Sequence, residues 1–281
     1  MNNEVALLTT LYPTEERFIR DFTESLREQT ERAFDLIVIN DKSRIDCGHS
    51  FFKDLNTFEF KYSSTISKNR EYGLRKVKEA GYKYVIFCDI DDSFNKERVC
   101  VVHKALQEND IVINDMNVVD ENNSVKVFNY ISQNIDESVN LDIDFILQKN
   151  VFGFSNTGIR TRLIDDKLSF PEDLRIVDWY FYTRLLRKDV TVGFVRKPLT
   201  NYRQHYDNLI GAGYYNVTNF RKMAQLKYEH FEFLSERDSF FIPLMENSVR
   251  ALQMTESEIE DTLREKSVKI NNPLWWEIVN I

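Results

Sequence analysis

Two short apolar runs constrain this chain more than any other feature: Phe34–Asn40 (FDLIVIN) and Tyr84–Cys88 (YVIFC), neither showing the polar alternation of a half-exposed strand. Such runs predict central strands covered on both faces, as in a sheet sandwiched between helices. The intervening segments fit that picture. Val5–Tyr12 predicts a strand closed by Pro13; Thr14 then offers an N-cap, and Phe18, Phe22 and Leu26 recur at helical spacing up to Gln29. Phe58–Tyr62 predicts another strand and Ser67–Ala80 a helix ended by Gly81. The alternation predicts an α/β fold with a Rossmann-like central sheet flanked by helices.

Beyond Asp110 the pattern is less regular. Strands are expected near Ile111–Asn114, Val125–Tyr130, Val151–Phe154, Val190–Val195 and Leu199–His205, with helices at Leu141–Gln148 and Asp178–Leu186. From Tyr214 onward the reading is helical, with Thr255 and Glu258 spaced as a capping box. The expected division is a catalytic domain over 1–210 and a helical extension over 211–281. The stretch Pro273–Val279, with Trp275 and Trp276, is expected to bury against that extension.

Composition removes several function classes. With 37 Lys+Arg against 45 Asp+Glu and a net charge of −8, the chain has no clustered basic block for a nucleic-acid backbone, so no nucleic-acid partner is expected. Cys47, Cys88 and Cys100 have no CxxC spacing, which fits neither a disulfide framework nor a zinc site. The apolar stretch Val5–Leu8 lacks a basic flank and is too short for a leader or a membrane span. A cytoplasmic protein is expected, with a peripheral contact at the inner face of the membrane and homo-oligomerisation left open.

The chemistry-bearing residues gather where the predicted strands end, the usual ligand edge of open α/β sheets. Asp89 and Asp91 lie two apart after an apolar strand and so project to the same side. Carboxylates that close repel unless a cation is near, and oxygen ligation suits Mg²⁺ or Mn²⁺; solvation of a strand end is the plainer alternative. Asp41 follows the other buried run, placed to accept a base N–H or a ribose hydroxyl, or to bond its own turn. Asp178 has Ile176 and Val177 before it and Trp179 and Tyr180 after it, a setting that desolvates a carboxylate and lifts its pKa toward that of a useful general base; a helix N-cap is the alternative. His205, one of 4 histidines, closes Tyr202-Arg203-Gln204-His205, where Arg203 and Lys197 could offer positive charge to a diphosphate; a structural or exposed histidine and idle exposed cations are the plainer alternative.

In order along the chain, these segments resemble family-2 glycosyltransferases of the GT-A fold. Leu8-Thr9-Thr10-Leu11-Tyr12 is similar to that family's opening strand and "PTYN"-like turn, Ser25–Thr30 to its "SLxxQT" helix, and Leu36–Ser43 to its "VVDDGS"-like strand end. Ser67-Lys68-Asn69 resembles "ARN", Tyr84–Asp92 resembles "YIxFLDxDD", and Asn201–His205 resembles "YRxH". The resemblance covers about 4–208. It implies a hexosyltransferase-type enzyme that moves a sugar, with inversion, from a nucleotide-diphosphate donor, a UDP-sugar favoured, to a hydroxyl of a saccharide or glycolipid in cell-surface polymer synthesis.

The resemblance further implies that Thr10, Tyr12 and Asp41 hold the nucleoside, Lys68 and Asn69 the phosphate side, and Asp89 the ribose or the metal. Asp91 and His205 would bind Mn²⁺ or Mg²⁺, with Arg203 at the diphosphate. Asn156 and Thr157, in Phe154–Gly158, would line the donor sugar and acceptor, and Asp178 would take the acceptor's proton. Val177 stands where the family usually has Glu, Asn40 replaces the first Asp of its usual pair, and Lys68 replaces its Arg, which leaves the phosphate-side contact to Lys68 or Arg70. Two other readings compete: a haloacid dehalogenase-type phosphatase, whose motif Asp89–Ser93 imitates at the wrong strand, and a nucleotide-sugar-binding module without turnover.

Overall fold

The computed structural model describes residues 3–205, 216–269 and 272–281; the expected boundary at 210/211 lies outside them. In chain order the elements are β1 (Val5–Leu11), α1 (Glu16–Arg27), β2 (Phe34–Asn40), β3 (Thr57–Lys61), α2 (Ile66–Glu79), β4 (Tyr84–Phe87), β5 (Ser93–Phe94), α3 (Arg98–Leu106) and β6 (Ile111–Val119). There follow β7 (Val125–Val127), α4 (Ile143–Ile146), β8 (Thr157–Arg160), α5 (Val177–Leu186), β9 (Val192–Arg203), α6 (Val217–Ser235), α7 (Ile242–Gln253) and α8 (Glu256–Lys269). The strands form one mixed sheet in the order β3-β2-β1-β4-β8-β6-β9-β5, with β7 beside β6. β3, β2, β1 and β4 run parallel, β8 is antiparallel to β4 and β6, and β9 runs parallel to β6.

Period-two side-chain alternation sends each buried strand into two cores at once. Val5 and Leu7 of β1, with Leu36 and Val38 of β2, meet α1 and α3 on one face. Ala6, Leu8, Ile37 and Ile39 meet α2 on the other, in a core that continues through α5 and α6 to Trp276 and Val279. Gly73 lets α2 approach the sheet: a Cβ there would stand 3.0 Å from Leu8 and 3.1 Å from Ile39. Gly81 ends the α2 turn at φ +79°, where any L side chain is strained.

Several expectations are corrected. Val151–Phe154 is an irregular segment rather than a strand, because Asn150 and Asn156 bond its peptide groups; the strand begins at Thr157. Val190–Val195 and Leu199–His205 merge into β9, whose Pro198, lacking an N–H, falls where the register against β6 shifts at Asp115. Glu15, not Thr14, is the residue before α1, and its side chain caps nothing. The capping box of α8 forms as expected, with Glu258 accepting from Thr255 N at 2.7 Å. No helix among the described residues is long and apolar enough to cross a membrane.

Candidate active site

Four strand ends and the first turn of α5 converge on one edge of the sheet. At the end of β1, Tyr12 lies beside Asp91, whose charge and hydrogen bond add to burial in pushing the phenol well above its ordinary range. Thr10, in register with Ile39, is partly exposed. After β2, Asp41 accepts from Ser63 Oγ at 2.6 Å and from Asn69 Nδ2 at 2.7 Å, so Asn69, itself buried, holds Asp41 rather than facing solvent. Asn40 organises the following loop, accepting from Ser43 N and donating to Glu59. A groove of about 640 Å³ opens beside this loop, with Lys42, Arg44 and Thr14 in its walls.

Past β4 the three aspartates diverge in role. Asp89 pairs with Arg70, whose guanidinium also lies 5.0 Å over the Phe154 ring. Arg70 Nη1 has no partner among the described residues, leaving a buried donor at the acidic edge. Asp91 lies 2.8 Å from His205 Nε2. Asp92 is buried, accepting from Arg203 N at 2.7 Å and from Ser155 Oγ, and joins three chain segments that sequence reading left apart. Its carboxyl is pushed well up by burial, then by Asp91 and Asp89; Asp89 is raised too, with burial outweighing Arg70.

Arg203 and Lys68 do not stand where they were expected. Arg203 is turned inward, 1% exposed, and bonds Asp91 O, Glu121 O and Asp21 Oδ2 while covering the Phe18 ring. It fixes the backbone of the acidic turn rather than facing a ligand. Lys68 points away to Glu71 at 2.9 Å and Phe170 O at 2.7 Å, so Arg70 is the cation at the acidic edge. Asn156 and Thr157 are also inward: Asn156 bonds Val151 O, Asn114 O and Gly153 N, and Thr157 meets Tyr182 OH at 2.6 Å. Arg98 was missed. Buried, it ties Phe87 O, Ser155 O and Asn114 together beneath the site, and only the partners supplied by folding reveal that role.

Asp178 stands in the first turn of α5 and shares a cavity of about 180 Å³ with Asp89. Its Oδ1 accepts from Trp179 N at 2.7 Å, and burial outweighs that bond, raising the carboxyl to about 6. A Cβ on Gly153 would stand 2.9 Å from Asn156 Oδ1, too close for the bond that Gly153 N donates to that oxygen to stay undisturbed, and 3.9 Å from Asp178 Oδ2, in ordinary contact. The far wall comes from the C-terminal segment. Tyr130 OH donates to Pro273 O, Asn150 N donates to Trp275 O at 3.0 Å, and Lys227 and Lys266 bond the carbonyls of Glu277, Val279 and Asn280. Trp276 adopts φ 71°, unusual for a bulky residue, and stacks on Trp179 at 4.7 Å, which stacks in turn on His230 at 3.8 Å. The tail therefore packs inward as expected, with Trp276 2% exposed, and reaches the cavity as well as α6.

The model of glycosyl transferase family 2 matches residues 11–166, which include all three strand ends that carry Tyr12, Asp41 and the acidic turn. This chain belongs to glycosyl transferase family 2. It is 27% identical over 217 residues to EpsH of Bacillus subtilis (strain 168), described as a glycosyltransferase; the match takes in 73% of this chain, which spans 62% of that relative's length. Among solved structures, S. aureus TarS 1-349 in complex with UDP-GlcNAc aligns with a TM-score of 0.56 at 17% identity, over 98% of this chain and 88% of TarS. The mannosyltransferase PcManGT from Pyrobaculum calidifontis, in complex with GDP-Man and Mn²⁺, aligns at 0.58 and 14% identity, over 96% and 75%. These likenesses establish the GT-A fold, and the family is one of glycosyl transferases rather than of haloacid dehalogenase-type phosphatases.

Proposed function

We propose that this family-2 enzyme transfers a sugar from a nucleoside-diphosphate donor to a hydroxyl of a saccharide or glycolipid acceptor, with inversion, in the assembly of a cell-surface polymer. The observation that carries the reading is the position of Asp178: a carboxylate raised to about 6 in the same cavity as Asp89, at the acidic edge where Asp91 meets His205. A base with that pKa is ionised at neutral pH yet basic enough to accept a proton as the bond forms. The acceptor oxygen bonds to the anomeric carbon, its proton passes to Asp178, and the bond from that carbon to the diphosphate oxygen breaks, the diphosphate leaving with the electron pair. Attack opposite the leaving group inverts the centre.

Thr10, Tyr12 and Asp41 are assigned to the nucleoside, with Asn69 orienting Asp41. Arg70, through the unpartnered Nη1, is assigned to the diphosphate in place of Lys68 and Arg203. The donor set fits a divalent ion: Asp91 and His205 offer one oxygen and one nitrogen 2.8 Å apart, while Asp89 already faces Arg70. No group of three or more ligating side chains exists among the described residues, so phosphate oxygens would complete the shell. Bound there, Mn²⁺ or Mg²⁺ supplies charge to stabilise the departing diphosphate.

We read 1–210 as the catalytic unit and 211–281 as an extension fastened to it, a reading supported by the core that α6 and the tail share with α5. The cytoplasm, at the inner face of the membrane for a glycolipid acceptor, is the proposed place of action. The test is a thermal-shift panel of UDP, GDP, dTDP, CDP and CMP with and without Mn²⁺, since a ligand of the native state alone raises Tm. A metal-dependent shift with one nucleoside diphosphate, UDP first, is expected; no shift with any of them overturns the reading, and a shift without turnover favours the nucleotide-sugar-binding module.

A further inference from the structure

The cavity that holds Asp178 has two unlike sides. Asp89, Asp178 and Asn150 give it oxygens and an amide, while Trp275, Trp276 and Tyr202 give it ring surface. Thr10, Tyr12 and Asp41, assigned to the nucleoside, do not line it, and neither do Asp91 and His205. An occupant of the cavity therefore lies against Asp89 and Asp178 rather than against the nucleoside residues. At about 180 Å³ the cavity is well below the ~300–1,000 Å³ typical of drug-sized ligands, so it takes one ring rather than a chain of them.

Trp275 is built as a platform. It is partly buried, and its ring is braced edge-on by Tyr130 at 5.2 Å and Tyr202 at 5.5 Å. Trp276 is locked on Trp179, yet its indole Nε1–H has no acceptor among the described residues. A buried donor left unpaired is costly, and buried indole N–H groups normally find a partner. A pyranose answers both features. Its axial C–H bonds form an apolar face with slightly positive hydrogens that suits the negative face of an indole ring, and its hydroxyls accept hydrogen bonds.

We propose that the C-terminal segment determines acceptor specificity: Trp275 stacks against the C–H face of an acceptor pyranose, and Trp276 Nε1–H donates to one of its oxygens. The inference rests on the glycosyltransferase reading and deepens it, by making the acceptor group a sugar ring rather than an alcohol on a lipid or a polyol chain.

The test uses saturation-transfer NMR on the full chain with UDP and Mn²⁺, and methyl pyranosides of glucose, galactose, mannose and N-acetylglucosamine as probes. Wild type is expected to bind at least one of them, with transfer strongest at the C–H protons of one ring face. Trp275→Leu should weaken that pyranoside at least tenfold and Trp276→Phe, which keeps the stack, about three- to tenfold, while UDP affinity stays within twofold in both. Unchanged pyranoside affinity in Trp275→Leu, or no binding by a wild type that does bind UDP, overturns the proposal. Competition by intact UDP-GlcNAc, but not by UDP, overturns it differently, by assigning the platform to the donor's own sugar. A wild type that fails to bind any nucleoside diphosphate overturns the glycosyltransferase reading itself.

Discussion

The acidic edge of the sheet and the aromatic wall of the cavity are held by different forces. The acidic edge is a lattice of charge and hydrogen bonds: Asp92 clamps Arg203 N and Ser155, Arg203 clamps the backbone of Asp91, and Arg70 faces Asp89. The aromatic wall is held by ring packing and by lysines bonded to carbonyls, with Trp276 on Trp179 and Lys227 on Val279 O. Bonded polar groups fix atoms to within tenths of an ångström, as a phosphoryl leaving group requires. Stacked rings fix a plane and leave the ligand free to slide across it, as recognition of varied sugars requires.

The sharpest way to test this division is to remove the base between the two. Asp178→Asn should lower transfer by about 10²–10⁴-fold and leave UDP affinity within twofold by calorimetry; retained turnover would move the base elsewhere. Next in size is Asp91→Asn, which should abolish the Mn²⁺-dependent part of nucleotide binding in the thermal-shift assay while leaving pyranoside contacts intact. If both regions lost binding together, they would not be separable. Arg203→Met should destabilise the fold by about 3 kcal/mol, the usual cost of breaking a buried charge network, read as the denaturation midpoint, and should weaken metal-dependent binding through the displaced acidic turn.

Smaller effects come from pH. Transfer at limiting donor should rise about tenfold per pH unit below about 6 and level off above 7, as Asp178, raised to about 6, ionises. The same shift has the opposite sign for stability. A carboxyl that holds its proton more tightly folded than unfolded makes the native state lose stability as pH rises from about 4 through 6. Asp178→Asn should therefore melt higher than wild type at pH 7.5 and lose that advantage near pH 4. The least effect is expected from Lys68→Ala, no more than about threefold in UDP affinity, because its ammonium faces Glu71 and Phe170 O.

The acidic edge was largely legible in the sequence, because its carboxylates follow apolar runs whose strands must end at the ligand edge: Asp41 after Phe34–Asn40, Asp89 and Asp91 after Tyr84–Phe87. What the sequence concealed was direction. Lys68 and Arg70 are both cations near one helix start, and only the packing of α2 against Glu71 and the 170 segment sends one away and the other inward. Arg203 was misjudged for a related reason: a cation beside a histidine suggests phosphate, yet burial with three protein acceptors makes it a strut. The irregular segment at Val151–Phe154 read as a strand because apolar spacing cannot reveal that Asn150 and Asn156 will take its peptide groups. The aromatic wall was least legible, since it joins residues more than a hundred positions apart, as in the bridge between Asn150 and Trp275.

The ring stack has a spectroscopic consequence. The chain has three tryptophans, and Trp179, Trp275 and Trp276 all belong to this one corner. Tryptophan emission, excited at the red edge where the 13 tyrosines do not absorb, is thus a local signal of this corner. Trp179 and Trp276 lie 4.7 Å apart and 7° from parallel, close enough for their excited states to couple and give a paired circular-dichroism band near the indole absorption. Unlabelled protein carries its own optical gauge of how tightly the C-terminal segment is seated.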